Sequence, residues 1–306
     1  MSIYGWLAPR GPSGYGYGST AEQVTAGLDL TGKSFLVTGC TSGLGAEAMR
    51  VLALRGARVL GTARTVEKAQ EACGDGRGAL GLSCELSDPA SVRACAQAVK
   101  QAGVRLDGII CNAGVMAYPE LRTHHGYEAQ FFSNHIGHFI LVTHLLDLLV
   151  EQGRVVMLSS SAHFMAPKVG IEFDNLDGKK SYNSWKAYGQ SKLANLLFAK
   201  ELSRRFQGSR RTANAVHPGV INTGLQRHMN PVLAGTMTLM GPVALKNVAQ
   251  GAATEVYAAT HPGLADVSGK YFANCNVAQS SPISHDAALA QKLWTVSEEI
   301  VSRVLA

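Results

Sequence analysis

Short apolar runs alternate along this chain with longer stretches in which apolar residues recur every three or four positions. The short runs predict seven buried strands, at residues 34–37, 58–62, 79–82, 106–111, 154–158, 212–216 and 270–272. The longer stretches predict helices at about residues 45–55, 89–99, 126–149 and 187–206, and another helix that begins near Val248. Unbroken apolar strands separated by helices are typical of a parallel sheet covered on both faces. The pattern therefore predicts an α/β fold, a doubly wound parallel sheet of about seven strands with helices on both faces.

The domain organisation follows from what interrupts this pattern. Residues 1–20 are rich in Gly, Tyr, Pro and Ser, and no repeat, low-complexity linker or second core follows them. We therefore expect residues 1–29 to form an irregular N-terminal arm and residues 30–306 to form a single domain. Two long interruptions, 162–186 and 222–247, follow predicted strands. Doubly wound sheets bind ligands beyond the carboxyl ends of their strands, so segment 222–247 is the predicted substrate loop.

Composition excludes several classes of protein. No window holds the roughly 18 apolar residues of a membrane helix, and the first residues lack the apolar core of a secretory signal, so we expect a cytoplasmic protein without a membrane span. The net charge of +6 is not arranged as a basic stripe with interleaved aromatic residues, which argues against nucleic-acid binding. The six cysteines show no CxxC spacing and the ten histidines no HExxH motif. We expect buried free thiols and no metal.

A glycine-rich turn directly follows the first predicted strand and opens a helix. It reads Thr38-Gly39-Cys40-Thr41-Ser42-Gly43-Leu44-Gly45. Glycines allow a backbone to approach a pyrophosphate closely, and the helix N-terminus supplies amide hydrogens and a positive dipole end. The alternative is a tight turn whose glycines serve only the backbone geometry. The predicted cofactor contacts in this turn are Gly39, Thr41, Ser42, Gly43, Leu44 and Gly45.

Tyr188 and Lys192 stand four residues apart in a predicted helix, so both side chains lie on the same face. The ordinary pKa of a phenol is about 10. A nearby ammonium, together with an oxidised nicotinamide, would lower it and suit the tyrosine to acid–base catalysis near neutral pH. The alternative is a solvated helix face. The position just beyond a strand that ends in Ser159-Ser160-Ser161 favours the catalytic interpretation.

From Leu30 to about Tyr271 these motifs, with Asn112-Ala113-Gly114, Ser133-Asn134-His135 and Pro218-Gly219, occur in the order typical of one family. The chain resembles the short-chain dehydrogenases/reductases. The resemblance implies a Rossmann-type fold and hydride transfer between a nicotinamide cofactor and a carbonyl or alcohol carbon. The catalytic residues that it implies are Asn134, Ser160, Tyr188 and Lys192.

The resemblance also implies a role for individual residues. Asn134 would hold a water of the proton relay, and Ser159 and Ser161 are close rivals of Ser160 as the catalytic serine. Thr223 would bind the carboxamide of the nicotinamide. Further implied cofactor contacts are Asn112, Ala113, Gly114, Tyr188, Lys192, Pro218, Gly219 and Val220. The long segment between the serines and Tyr188 resembles the branch that holds retinol dehydrogenases and protochlorophyllide reductases.

The choice between NADP(H) and NAD(H) depends on the end of the second predicted strand. An NAD-dependent enzyme of this fold carries an acidic residue there for the ribose hydroxyls, whereas this chain has Gly61-Thr62-Ala63-Arg64. The guanidinium of Arg64 can hold a 2′-phosphate through paired hydrogen bonds, so we expect NADP(H), with NAD(H) as the alternative if Arg64 is only a solvated loop residue. Glu85-Leu86 stands where the family usually has Asp-Leu. Glu85 is predicted to accept from the adenine amino group, and Leu86 is a further predicted cofactor contact.

The predicted substrate is an apolar ketone, aldehyde or secondary alcohol. The apolar, methionine-rich stretch from Met229 to Met240 suits an irregular apolar ligand, although a helix that covers the core or a homo-oligomer contact are alternatives. The predicted substrate contacts are Met116, His163, Phe164, Met229, Leu233 and Met237. Two other functions share these motifs: reduction of a C=C bond, and a non-catalytic NADP(H)-binding redox sensor.

Overall fold

The computed structural model describes residues 8–74, 76–221 and 245–306. Most of the predicted substrate loop lies outside the described residues. The same holds for four residues predicted to contact ligands, which are Thr223, Met229, Leu233 and Met237.

The strands of the central sheet match the apolar runs of the sequence. They are β1 (Ser34–Thr38), β2 (Arg58–Ala63), β3 (Leu80–Ser83), β4 (Leu106–Cys111), β7 (Leu149–Leu158), β8 (Thr212–His217), β9 (Tyr271–Ala273) and β10 (Asn276–Val277), and a separate hairpin consists of β5 (Thr123–His124) and β6 (Tyr127–Glu128). The sheet order within the described residues is β10-β9-β8-β7-β4-β1-β2-β3. All neighbours pair in parallel except β10, which pairs antiparallel with β9. The prediction of a Rossmann-type, doubly wound sheet is confirmed.

The helices connect these strands and lie on both faces of the sheet. They are α1 (Ala21–Val24), α2 (Gly43–Leu54), α3 (Val66–Cys73), α4 (Pro89–Gln101), α5 (Ala129–Phe131), α6 (Gly137–Leu145), α7 (Ser184–Arg205), α8 (Val248–Thr260) and α9 (Ala287–Val304). Local signals set several of their ends. Asp88 caps α4 by accepting from the Ala90 amide, and Asn183 caps α7 by accepting from the amides of Trp185 and Lys186. In the described part of the chain, none of the helices combines the length and apolarity required to cross a membrane.

The long helix predicted at 126–149 is present, but it begins three residues later and changes type along its length. Gly126 has φ +83° in the turn between β5 and β6, a conformation that ends any helical path there. Helical structure begins at Ala129, passes through a π-helical turn at Phe132–Ile136, continues as α6 to Leu145 and ends with a 3-10 turn at Leu146–Leu148. Leucines on both sides of Asp147 lead into Leu149, which is the first residue of β7 because it pairs with Leu106 of β4. Periodicity alone cannot separate a buried helix from the buried strand that follows it.

Alternating residues of the parallel strands supply two hydrophobic layers. Leu36, Ile109 and Val155 face one layer, which also contains side chains of α4, α6, α7 and α9. Phe35 and Ile110 face the other layer, which also contains side chains of α2 and α8. Helices cover both faces of the central strands. A ligand can therefore reach the sheet only at the ends of its strands.

The N-terminal arm lies along α8 and β10. The Asn276 amide donates to the Tyr15 carbonyl and its oxygen accepts from the Ser13 amide, both over 3.0 Å. The ring centroids of Tyr15 and Tyr257 are 5.6 Å apart in an edge-to-face contact. The Lys246 ammonium lies 4.9 Å from the centroid of the Tyr17 ring. The arm therefore reaches the residues next to Gly219, whose Cβ position is 2.7 Å from the side chain of Lys246.

Candidate active site

The carboxyl ends of β1, β4, β7 and β8 surround a cleft of about 280 Å³. It is lined by Leu44, Asn112, Gly114, Val115, Met116, Leu158, Ser159, Ser160, Ser161, Ala162, Met165, Trp185, Tyr188, Lys192, His217, Pro218, Gly219, Val220 and Ile221. Residues from five separate predicted motifs therefore share one cavity. This is the edge of the sheet where doubly wound folds bind ligands.

The glycine turn combines close packing with an open cradle. A Cβ at Gly45 would lie 2.2 Å from the Gly39 carbonyl oxygen, and one at Gly39 would lie 3.0 Å from the Ala113 Cβ. Gly43, in contrast, has φ +62° with no atom within 4 Å of its Cβ position, and Thr41 and Ser42 are exposed. Ser42 precedes α2 without a side-chain capping bond, which leaves the first amides of the helix free of its hydroxyl. These groups fit the pyrophosphate of a dinucleotide.

Asn112, Ala113 and Gly114 join the end of β4 to the end of β1. The Asn112 amide donates to the Thr38 carbonyl over 2.8 Å, and the Ala113 amide donates to the Thr38 hydroxyl over 2.9 Å. A Cβ at Gly114 would lie 3.0 Å from Asn134 Oδ1 and 3.4 Å from Lys192 Nζ. The glycine thus allows an asparagine and a lysine from two other elements to approach the backbone.

Asn134 lies in the π-helical turn, a feature that is frequent at functional sites. Its Oδ1 accepts from the Val115 amide over 2.8 Å, and its Nδ2 donates to the Val115 carbonyl and to the Ser191 hydroxyl, both over 2.9 Å. The Ser191 hydroxyl in turn donates to the Tyr188 carbonyl over 2.8 Å. The buried amide of Asn134 therefore links the loop after β4 to the helix turn that carries Tyr188 and Lys192.

The three serines after β7 have different environments. Ser159 is buried and donates to the Lys192 carbonyl over 2.8 Å, whereas Ser161 is exposed. The Ser160 hydroxyl accepts from the Ala162 amide over 3.1 Å, and Ser160 is the side chain that lowers the pKa of the Tyr188 phenol. Of the three, Ser160 is therefore the serine whose hydroxyl meets the tyrosine.

Tyr188 reaches Ser160 because α7 packs closely on the turn Ser161–Met165. A Cβ at Gly189 would lie 2.6 Å from the Ala162 carbonyl oxygen, so only glycine permits this approach. Burial raises the pKa of Tyr188 to about 12, and the Ser160 side chain offsets part of this rise. In the chain by itself burial is the largest effect on this pKa, and the prediction that the ammonium together with an oxidised nicotinamide lowers it stays a prediction.

Lys192 lies one turn further along α7, with its ammonium 5.7 Å from the centroid of the Tyr188 ring. Nζ donates to the Leu158 carbonyl over 3.1 Å, and the side chain is 3% exposed. Burial lowers the pKa of Lys192 to about 8. The lysine is therefore held at the bottom of the cleft by backbone oxygen and forms no salt bridge within the described ranges.

The residues predicted to select the cofactor lie at the ends of β2 and β3. Arg64 is exposed, and its guanidinium takes part in no salt bridge among residues 8–74, 76–221 and 245–306. Glu85 turns back on the chain, where its Oε1 accepts from the Ser87 amide over 3.0 Å and from the Ser87 hydroxyl over 2.8 Å. Leu86 is buried against Gly137, whose Cβ position is 2.4 Å from the Leu86 carbonyl oxygen.

The predicted substrate contacts divide into two groups. Met116 lines the cleft, but Phe164 is 57% exposed and lines a different cleft, of about 940 Å³, beside Lys200 and Lys270. His163 is buried. Its Nδ1 lies 2.6 Å from the Ser160 carbonyl oxygen and its Nε2 accepts from the Ser281 amide over 3.0 Å. Neither His163 nor Phe164 lines the cleft that contains Tyr188, because the short turn after Ser160 directs both side chains away from it; their role as substrate contacts stays a prediction.

Several residues that line the cleft were not predicted, among them Trp185, His217 and Met165. Trp185 stands three residues before Tyr188 on the same helix face, a spacing that could have indicated it, and their ring centroids are 6.2 Å apart. His217 directly precedes Pro218, and its Nδ1 accepts from the Ser161 amide over 3.3 Å. Burial lowers the pKa of His217 to about 4, so its ring is neutral. Met165 ends the turn at Ser161–Met165 and carries no sequence signal of its own.

The family model for short chain dehydrogenase matches residues 33–173 of this chain. Among curated proteins, Short-chain dehydrogenase TIC 32 A, chloroplastic, of Brassica napus is 43% identical over 98% of this chain and 99% of its own length. The chain belongs to the short-chain dehydrogenase family. Retinol dehydrogenase 14 of Homo sapiens is 37% identical over 97% of this chain and 94% of its own length, in agreement with the retinol dehydrogenase-like branch.

The chain is also similar to solved structures of this fold, for example the following two. A protein from Mycobacterium paratuberculosis is 32% identical, with a TM-score of 0.73 over 91% of this chain and 97% of its own. A blue fluorescent protein from a metagenomic library, crystallised with NADPH, is 26% identical, with a TM-score of 0.64 over 79% of this chain and 96% of its own. The short-chain dehydrogenases are oxidoreductases, and the chain shares their fold and their motif order.

Proposed function

We propose that this protein is an NADP(H)-dependent oxidoreductase that transfers hydride between the nicotinamide and the carbonyl or alcohol carbon of an apolar ketone, aldehyde or secondary alcohol. One observation carries the proposal: Ser160, Tyr188 and Lys192 line a single cleft, where Gly189 lets α7 approach the turn that follows Ser160. A hydroxyl pair next to a buried cation is suited to polarising a carbonyl oxygen and delivering a proton to it.

The proposed division of labour follows from the contacts of each group. Ser160 donates to the carbonyl oxygen and orients it, and Tyr188 gives that oxygen its proton. With a pKa raised to about 12, Tyr188 carries its proton throughout the neutral range, as the reduction of a carbonyl requires. Lys192 holds the ribose hydroxyls and stabilises the phenolate that remains after proton transfer. Asn134 holds the helix turn that carries Tyr188 and Lys192 against the loop after β4, through its hydrogen bond with Ser191.

The cofactor proposal is supported at both ends of the site. Gly43 and the amides that begin α2 are suited to the pyrophosphate, and the exposed guanidinium of Arg64 to a 2′-phosphate. The similar blue fluorescent protein was crystallised with NADPH, which also favours NADP(H). When bound, the nicotinamide supplies the hydride. Glu85 is not proposed to reach the adenine in its present position, because Ser87 occupies its Oε1.

An apolar substrate is supported by the wall of the cleft beyond the catalytic groups. Val115, Met116, Met165 and Trp185 form this wall. The name of the relative retinol dehydrogenase 14 suggests a retinoid as one aldehyde and alcohol pair to test. Large apolar side chains with a few convergent polar groups are typical of small-molecule sites.

The test is NADPH oxidation by the purified protein with all-trans-retinal, a straight-chain aldehyde, an aryl ketone and a cyclic enone, followed by product analysis. Reduction of a C=O group that Tyr188→Phe abolishes supports the proposal. A saturated ketone formed from the enone would identify a C=C reductase instead. Tight NADPH binding without turnover of any substrate would favour the redox sensor.

A further inference from the structure

Two cysteines far apart in sequence meet beneath the glycine turn. Cys40 lies in that turn, and Cys73 is the last residue of α3. A Cβ at Gly61 of β2 would lie 2.7 Å from Cys73 Sγ and 2.9 Å from Cys40 Sγ, so both sulfurs occupy the space above this glycine. The absence of a side chain at Gly61 is what allows the two thiols to share it.

The contacts of the two sulfurs make their chemistry unequal. The Cys73 thiol donates to Met49 Sδ over 3.9 Å. Interaction with Cys40 is the largest cause that lowers the pKa of Cys73, whereas interaction with Cys73 and burial raise the pKa of Cys40. Cys73 is therefore the thiol that ionises.

Cys73 is also the more exposed of the two thiols. Cys73 is half-buried and lines a small cleft of about 160 Å³ between α2 and α3, together with Met49, Ala53 and Val59. Cys40 is 0% exposed and lies behind it. An ionisable, accessible thiol beside a buried second thiol is the arrangement of oxidant-sensitive cysteines.

We propose that Cys40 and Cys73 are a modification site, at which a peroxide forms a reversible disulfide that weakens cofactor binding. The Cys73 thiolate attacks one oxygen of hydrogen peroxide; the O–O bond breaks, the released hydroxide takes up a proton, and Cys73 becomes a sulfenic acid with loss of one water. The Cys40 sulfur then attacks the sulfenic sulfur, its thiol proton leaves with the hydroxyl group as a second water, and the S–S bond forms. The two thiols lose two electrons, and the peroxide is reduced to two waters.

The consequence for the cofactor rests on the proposed function. Forming an S–S bond of about 2.05 Å draws Cys40 toward α3. The amides of Gly39 and Cys40 both donate to the Thr62 carbonyl over 3.0 Å, so a pull on Cys40 displaces the backbone that would approach the pyrophosphate. Loss of one such contact to an anion corresponds to roughly ten-fold weaker NADPH binding.

The experiment treats the reduced full-length protein with stoichiometric hydrogen peroxide, alkylates the remaining thiols and maps tryptic peptides. Cleavage after Lys33, Arg50, Lys68 and Arg77 places Cys40 in peptide 34–50 and Cys73 in peptide 69–77. We expect these two peptides to be joined, the link to disappear with dithiothreitol, and neither Cys40→Ser nor Cys73→Ser to form it. Fluorescence titration with NADPH, before and after oxidation, measures the affinity.

The chain contains its own matched control. Cys84 and Cys95 are also neighbours, since Cys95 raises the pKa of Cys84, but they are only 5% and 2% exposed. If contact between thiols were sufficient, this second pair would oxidise equally fast. We expect the Cys40–Cys73 link to form at least about ten times faster, because only that pair includes an accessible thiol.

The outcomes separate this inference from the proposed function. A reduced protein that does not bind NADPH contradicts the proposed function, whereas the peptide map still reports on the disulfide. The inference is overturned if no link forms between peptides 34–50 and 69–77, or if the link forms and NADPH affinity stays the same. Weakened binding that persists in Cys73→Ser after peroxide would assign the effect to another residue and overturn it as well.

Discussion

The Lys192 ammonium donates to the carbonyl oxygen of Leu158 over 3.1 Å, at the point where β7 leaves the sheet. The Asn195 amide donates to the same oxygen over 3.0 Å. A buried cation is thus held by a strand end instead of a carboxylate, and burial lowers its pKa to about 8. The Lys192 ammonium is therefore charged at neutral pH, and it loses its proton at a pH that kinetic experiments can reach.

This titration predicts how carbonyl reduction depends on pH. Below about pH 8 Lys192 is charged, and Tyr188, with a pKa raised to about 12, is protonated. We expect kcat/KM with NADPH to be level up to that pH and to fall as the pH rises through about 8, as Lys192 loses its proton. Lys192→Arg keeps a charged group at all these pH values, so its residual activity should not fall there. An identical fall in the arginine variant would assign the titration to another group.

Tyr188→Phe tests the proton donor. The ring keeps its packing against Trp185, and only the hydroxyl is lost, so NADPH affinity and thermal stability should change little. Turnover should fall by roughly 10²–10⁴-fold, the usual contribution of a positioned general acid. Tyr182→Phe is the matched control, because its hydroxyl donates to the Tyr118 carbonyl outside the cleft and its loss should leave turnover nearly intact. Near wild-type turnover in Tyr188→Phe would remove the tyrosine from the mechanism.

The three serines should respond differently to replacement by alanine. Ser160→Ala removes the hydroxyl that meets Tyr188 and should lower turnover by roughly 10²-fold, the cost of one donor to a developing oxyanion. Ser159→Ala removes a buried bond to the Lys192 carbonyl and should mainly lower the free energy of unfolding, by about 1 kcal/mol. Ser161→Ala should behave like wild type. Steady-state kinetics and urea unfolding distinguish the three, and a larger turnover loss in Ser159→Ala than in Ser160→Ala would contradict the assignment.

Arg64→Ala tests the selection of NADP(H). The exposed guanidinium is expected to contact the 2′-phosphate only, so NADPH should bind about ten-fold or more weakly in the variant and NADH about as in wild type. Lys68→Ala removes a nearby exposed cation from the first turn of α3 and should affect neither cofactor. Calorimetry with both cofactors measures the four affinities. Equal NADPH and NADH affinities in the wild type would count against the proposed preference.

Glu255 predicts a pH dependence of stability that is unrelated to catalysis. Neither of its carboxyl oxygens has a hydrogen-bond partner among the described residues, and burial raises its pKa from 4.5 to about 8. The folded state therefore binds the proton more tightly than the unfolded state. Its stabilising contribution is complete below about pH 4.5 and is lost as pH rises to about 8, by up to about 1.36 kcal/mol per pH unit.

Glu255→Gln should flatten this dependence, because the amide cannot ionise. Urea unfolding should be measured at several values between pH 5 and pH 8, the window set by the Glu255 pKa. The free energy of unfolding of the variant, relative to that of wild type, should increase as pH rises. Glu298→Gln, an exposed glutamate on α9, is the control and should leave the wild-type slope unchanged. A Glu255→Gln protein with the wild-type slope would show that the carboxyl does not titrate in this window.

Some of the site could be predicted from the sequence because its signals are local. The glycine turn can be recognised from consecutive residues, because an apolar strand, the glycines and a helix follow one another directly. Tyr188 and Lys192 share a face because four residues make about one helical turn. The order of the motifs identified the family, which the comparison with TIC 32 A confirms. Strand existence was predicted well for the same reason, since each central strand is apolar on both faces.

Other features depended on contacts between distant segments, which no local pattern contains. Three consecutive serines are equivalent in sequence, and only the packing of Gly189 on the turn after β7 brings Tyr188 to Ser160. The same turn directs His163 away from the cleft. The start of β7 at Leu149 was hidden within a leucine-rich stretch, because pairing with β4 ends the helical segment there.

The pairing of Cys40 with Cys73 also depends on a contact between distant segments. The sequence by itself determined that the chain has free thiols scattered without a recognisable spacing. The tertiary structure decided which of them meet, because β2 places a glycine between the turn after β1 and the end of α3. Local sequence specifies backbone geometry and helix faces, whereas the close approach of side chains from separate elements is set only when the whole sheet and its covering helices pack together.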